Sequence, residues 1–240
     1  MAEPLLLGLL LAPSVAGLFL ALAVIGVFLI FQPLQLALKD VFKGKRYART
    51  PWAVRFAAGY GLLALIGVIG AALTAGSAFW LPVLPALPIA ALQVFLVIRG
   101  KGRSALAEVS GAVALGASAA AIVSASGWTP VAAWALWLVL AMRAASSILY
   151  IRVRLRRARG EEANRSPAMI ASVVAVVAIG ACVSAGALPW TAVAAMMILL
   201  ARATYYLYVP QKPVRTPIIG VHEVGFGVLT VVMVAIGFRL

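Results

Sequence analysis

"LAMRAASSILYIRVRLRRARGEE" (residues 140–162) begins as apolar helix and ends as a run of arginines. Its first twelve residues carry one charge, Arg143, whereas the next eight, "RVRLRRAR" (152–159), carry five. So abrupt a change marks the place where a helix leaves hydrocarbon and meets a charged surface. The rest of the chain repeats the pattern. Its 240 residues are 65% hydrophobic and 11% charged, with a mean hydropathy of +1.09. A soluble domain carries about 25% charged residues. Too little polar surface is left to cover the apolar excess, so the solvent of this fold is lipid. The formal net charge of +14 lies in short clusters between apolar runs, which points to membrane topology and not to nucleic acid. One cysteine, Cys182, excludes an internal disulfide and a cysteine-built metal site.

A helix needs about 20 residues to cross roughly 30 Å of hydrocarbon. Eight runs meet that length: 17–38, 52–75, 78–98, 104–125, 128–151, 166–187, 190–209 and 217–238. The start is different, because residues 4–38 are apolar throughout, too long for one crossing and too short for two. "APSVAG" (12–17) resolves this as a turn, leaving "EPLLLGLLL" (3–11) as the tail of a further helix. Either the chain begins with a half-membrane segment, or its natural start lies upstream of Met1. The predicted fold is all-α: a polytopic transmembrane bundle of eight full helices plus a partial first one, forming a single domain over 1–240.

The connections alternate in character. "AGSAFW" (75–80), "SASGWTP" (124–130) and "SAGALPW" (184–190) are neutral and rich in small residues and tryptophan. "KDVFKGKRYART" (39–50), "RGKGR" (99–103), "RVRLRRARGEEANR" (152–165) and "QKPVRT" (211–216) are basic. Alternation puts every basic loop on one side, predicted to be the cytoplasm of a cell membrane. The result is a chain of α-hairpins, two of which resemble each other. "WTPVAAWALWLVLAMRAASSILYIR" (128–152) and "WTAVAAMMILLARATYYLYV" (190–209) share an opening and place an arginine, Arg143 or Arg202, before a tyrosine-rich end. Repetition of this kind is a common plan for membrane proteins. The proline-rich "LPVLPALP" (81–88) is expected to distort its helix, and the glycines of "GYGLLALIGVIG" (59–70) and "GAVALG" (111–116) to form close-packing surfaces.

Ionisable groups within a span are costly and usually face a bundle interior or a wet cavity. Placed by depth, Arg143 lies roughly 12 Å and Arg202 roughly 10 Å from the inner ends of their helices. Glu108, His222, Glu223, Gln93, Tyr60, Gln32 and Gln35 fall in the same inner portion of theirs. The outer halves carry nothing stronger than Ser, Thr and Gly. Three explanations compete. Two arginines and two glutamates can pair structurally; the residues can line a ligand cavity; or the arginines can snorkel to the headgroups. The ligand-binding candidates are Arg143, Arg202, Glu108, Glu223, His222, Gln93 and Tyr60. A lone histidine is a poor metal site, and His222 points about 100° away from Glu223 on a helix, so no metal is expected. "GVHEVGFG" (220–227) has Phe226 where a metalloprotease helix needs its second histidine. Phosphate-loop, dinucleotide and serine-elbow motifs are missing too, so no cofactor or catalytic residue is assigned.

"EPLLLGLLLAPSVAGLFLALAVIGVFLIFQPLQLALKD", then "GKRYART", and later "SSILYIRVRLRRARGE" resemble the YwiC-like family of bacterial membrane proteins. Members of that family begin with a further segment around an HGAW motif, which the resemblance implies would complete the first helix. More distantly, helix count and hairpin arrangement are similar to the UbiA prenyltransferases, whose site opens to the cytoplasm and holds Mg²⁺ and a prenyl diphosphate on two aspartate-rich motifs. The matching stretches here, "QPLQLALKD" and "SSILYIRVR", keep only Asp40. Magnesium-dependent prenyl transfer needs several carboxylates and is therefore not expected. What remains is a UbiA-like protein with an inner-leaflet polar cavity for an amphipathic anion, an isoprenoid or quinone-type lipid, Arg143 and Arg202 facing its head. The alternative is a transporter or an accessory subunit of a larger complex. The partners expected are membrane lipids, a lipid-like anionic ligand or another membrane protein.

Overall fold

The computed structural model describes residues 2–42, 44, 47–75, 78–209 and 216–240. Among the described residues the chain forms nine α-helices and no strand. They are α1 (Ala2–Leu11), α2 (Val15–Phe42), α3 (Thr50–Ala75), α4 (Trp80–Ile98), α5 (Ala105–Ala125), α6 (Pro130–Ala158), α7 (Ser166–Ser184), α8 (Trp190–Tyr208) and α9 (Thr216–Gly237). Eight are long and apolar enough to cross a membrane, and α1 is the short helix expected before them. The protein is a multi-pass membrane bundle. Its outside is apolar: Leu73 is 82% exposed and Val221 69%, which water would not tolerate in such numbers and lipid does.

One boundary differs from expectation for a local reason. Helix α6 continues past residue 151 to Ala158, because leucine, arginine and alanine are good helix formers and no breaker intervenes before Gly160, which sits at φ +78°. The arginine run is thus two further turns of helix. Helix α4 runs as one helix through Pro85 and Pro88. The basic connection expected at 211–216 lies outside the described residues up to the start of α9, as do parts of the basic connection at 39–50 and of the neutral one at 75–80.

The neutral ends of the helices gather at one end of the bundle. Ser126 Oγ is 3.0 Å from Ser14 Oγ, Arg239 donates to the Leu10 carbonyl at 2.9 Å, and the Trp128 and Phe238 rings lie 5.1 Å apart. At the opposite, basic end Arg152 donates to the Arg103 carbonyl at 2.9 Å.

Helices α5 and α6 form the middle. On α5, residues Gly116–Ser124 are buried without a break, their small side chains admitting α1, α2, α4 and α6. Trp137 of α6 donates its indole N–H to the Val113 carbonyl at 2.7 Å, a bond with no water to compete for it. Helix α1 wedges among α5, α9 and α2, and α3 packs on α2. The α2–α3 contact is backbone on backbone. A Cβ added to Gly67 would stand 2.5 Å from the Ala23 nitrogen, and one added to Gly26 would stand 2.6 Å from the Ala64 nitrogen.

Candidate functional site

Four charges meet in the interior. Arg143, near the middle of α6, is ion-paired with Glu3 at the start of α1 and donates to the Glu223 backbone carbonyl of α9 at 3.4 Å. Arg202 of α8 donates to Glu223 Oε1 at 2.6 Å and to Ser147 Oγ at 3.3 Å. Its guanidinium also lies over the rings of Tyr150, at 4.3 Å, and Phe226, at 4.7 Å. Arg143, Arg202 and Glu223 are all buried. Room for the Glu3–Arg143 pair comes from Gly227, where a Cβ would collide with both side chains. The two arginines of the similar hairpins therefore converge on one glutamate, and two carboxylates of the protein meet both positive charges. Satisfaction is incomplete, because Arg143 Nε, Arg202 Nε and Glu223 Oε2 are buried without a hydrogen bond.

The other candidates lie elsewhere. Glu108, in the first turn of α5, pairs with Arg152 at 2.9 Å at the basic end, where both side chains are about a third exposed. His222 is exposed on the outer face of α9, turned away from Glu223 as the helical angle requires. Gln93 and Tyr60 belong to a separate crevice between the α2–α3 and α4–α5 hairpins, about 850 Å³ in volume. Its walls are leucine, valine, alanine and phenylalanine. Gln32, Tyr60 and Gln93 give it hydrogen-bonding groups toward the basic end, with Arg49 at that mouth. Gln93 lies across Gly111, where any side chain would collide with its amide, and the Tyr60 ring stacks on Phe56 at 6.1 Å.

Asp40 helps hold this mouth. The buried carboxylate accepts from Thr50 Oγ1 at 2.8 Å and from Arg49 Nη2 at 3.2 Å. The same hydrogen bond raises the pKa of the Arg49 guanidinium above its ordinary value. With both oxygens engaged, Asp40 anchors the α2–α3 connection. Asp40→Ala is expected to cost about 1–3 kcal/mol and to speed proteolysis between α2 and α3, read by thermal unfolding and limited digestion.

Depth along each helix identifies Arg143 and the Arg202–Glu223 pair, but not Glu3, Ser147 or Tyr150, which meet the two arginines. Glu3 escapes this criterion because the depth of a partial helix cannot be set from its own length. Ser147 and Tyr150 gave one usable signal, their spacing of four and seven residues from Arg143, which puts all three on one face of α6. Among the described residues, no three His, Cys, Asp or Glu side chains are close enough to hold a metal.

A family model described as YwiC-like protein matches residues 1–123, just over half of the chain and the part that builds α1 to α5. No curated protein and no solved structure matches it.

Proposed function

The chain belongs to the YwiC-like family, and we propose that it binds an amphipathic, lipid-like molecule in the crevice between its α2–α3 and α4–α5 hairpins. The observation that carries this reading is the crevice's chemistry. It is long, apolar and about 850 Å³, within the range of about 300–1,000 Å³ usual for ligand pockets. Most of its polar groups, Gln32, Tyr60, Gln93 and Arg49, lie toward the basic end, with Ser118 and the Trp80 indole toward the other. An isoprenoid or quinone-type chain would fill the apolar part, with a carbonyl, hydroxyl or anionic head at Gln93, Tyr60 and Arg49. Arg143 and Arg202 are reassigned in this reading to an internal ion-paired network. With Asp40 held by Arg49 and Thr50, the reading involves no metal-held diphosphate. The protein sits in the cell membrane with its basic ends in the cytoplasm, by the charge asymmetry of its loops.

Mass spectrometry of lipids that co-purify with the protein tests the proposal. Wild type is expected to retain one amphiphile enriched over bulk lipid. Ala114→Trp, which fills the crevice from α5, is expected to lose it about tenfold, as a penalty near 1.4 kcal/mol produces. A profile equal to bulk membrane in both proteins would sink the reading.

The four interacting charges, three of them buried, favour a second reading, a transporter, since intramembrane ionisable groups often mark ion or substrate pathways. Solute flux into proteoliposomes that stops on Glu223→Gln would establish it in place of the first.

A further inference from the structure

Among the described residues three arginines are buried: Arg143, Arg154 and Arg202. Two have carboxylates, and the third does not. The six acidic residues of the chain are Glu3, Asp40, Glu108, Glu161, Glu162 and Glu223. Four of them pair with Arg143, Arg49, Arg152 and Arg202, and no carboxylate lies within 4.0 Å of Arg154. Its partners are tyrosines. Nη1 donates to Tyr150 Oη at 2.9 Å, and the guanidinium lies 4.1 Å from the centre of the Tyr206 ring. A ring face returns about 2 kcal/mol or more to a desolvated cation, against the several kcal/mol that burying its charge costs, and neither tyrosine brings a negative charge.

The geometry supplies a place for the missing anion. Arg154 is one turn inside the basic end of α6, at the seam with α7 and α8 formed by Tyr150, Val153, Ala168, Ala203 and Leu207. Arg143 Nε and Arg202 Nε are sealed without partners, whereas the unused donors of Arg154 are not sealed. Around it, Arg157 donates to the Leu207 carbonyl and Arg165 lies 5.3 Å from the Tyr208 ring. Residues 154–165 carry five arginines against Glu161 and Glu162, both exposed. The local field is therefore positive, at the depth of a headgroup.

We propose that the α6–α7–α8 seam at the basic end binds a phosphate group, with Arg154, held from behind by Tyr150 Oη, as its innermost ligand and Arg157 beside it. A planar guanidinium suits phosphate because two parallel N–H donors match two oxygens and the charge is permanent. The source is either the headgroup of an anionic phospholipid or free phosphate. This site is separate from the α2–α5 crevice and does not depend on it.

The test uses the full chain in nanodiscs of phosphatidylcholine, with and without phosphatidylglycerol, and with inorganic phosphate as a third arm. Bound lipid is counted by native mass spectrometry, and the unfolding midpoint is followed in parallel. Wild type is expected to retain phosphatidylglycerol over phosphatidylcholine and to unfold at a higher temperature in its presence. A rise with inorganic phosphate alone identifies the free ion as the source. Arg154→Gln is expected to lower retention about tenfold or more, the worth of a charge-assisted hydrogen bond. Arg156→Gln, on an exposed neighbour, is expected to leave it unchanged. The proposal is overturned if neither anion is bound, or if both variants lose binding equally. Should Arg154→Gln fail to assemble, Arg154→Lys decides. It keeps the charge but loses the two-pronged geometry, so retention equal to wild type overturns the proposal and retention reduced severalfold supports it.

Discussion

Replacing Arg202 by methionine is expected to destabilise the protein by roughly 3–5 kcal/mol, the usual cost of removing one partner from a buried ion pair. The substitution leaves the Glu223 carboxylate buried, with Oε2 already lacking a hydrogen bond and Oε1 now deprived of its donor at 2.6 Å. Arg143 cannot take over without abandoning Glu3. Glu223→Gln is expected to be milder, because the amide keeps one acceptor and sheds the charge. The decisive comparison is the double variant Arg202→Met, Glu223→Leu. Removing both charges at once removes the desolvation cost along with the attraction, so it should recover most of the lost stability. Thermal unfolding of wild type, Arg202→Met, Glu223→Leu and the double variant in one detergent measures the coupling. Additive effects of the two single changes would show that the pair does not interact as its geometry requires.

Gly67→Leu is expected to release the α2–α3 hairpin. Its first added carbon would meet the Ala23 nitrogen at 2.5 Å and the Phe19 carbonyl at 2.6 Å. These are backbone atoms of α2, which can retreat only if the whole helix moves. Overpacking by flexible side chains costs about 1–3 kcal/mol, and a collision with backbone lies at or above the top of that range. Because α3 depends on α2 for its packing, the effect should extend beyond stability. The wall of the crevice moves with it, so the amphiphile proposed to bind there should be lost as the unfolding midpoint falls. Gly59→Leu is the matched control, since it lies on the same helix with nothing within 4 Å of its Cβ position. That change should stay within about 0.5 kcal/mol. Equal effects of the two substitutions would mean that α2 and α3 do not touch where the structure brings them together.

Gly59 and Gly67 come from one stretch, "GYGLLALIGVIG", and look alike in the sequence. One faces open space and the other a helix backbone. The same division runs through the charged residues. Arg143, Arg202 and Glu223 were found from depth alone and do meet, whereas Glu108 and His222, picked by the same criterion, do not join them. Tyr60 and Gln93 share a site, but on the other side of α5.

What the sequence determined by itself was everything that depends on a property averaged along one helix: eight spans, a short helix before them, and alternating neutral and basic ends. Hydropathy over a window of about 20 residues measures transfer into lipid, and that free energy is local. The partner of each charge was decided only by tertiary structure. Each residue turns the helix by about 100°, so two charges at one depth can face each other or face opposite ways. Glu3 reaches Arg143 because α1 wedges between α5 and α9, and Arg154 has no carboxylate because none of the six is brought to its seam. Such pairings depend on how helices are offset and rotated against one another, and no single helix carries that in its own residues.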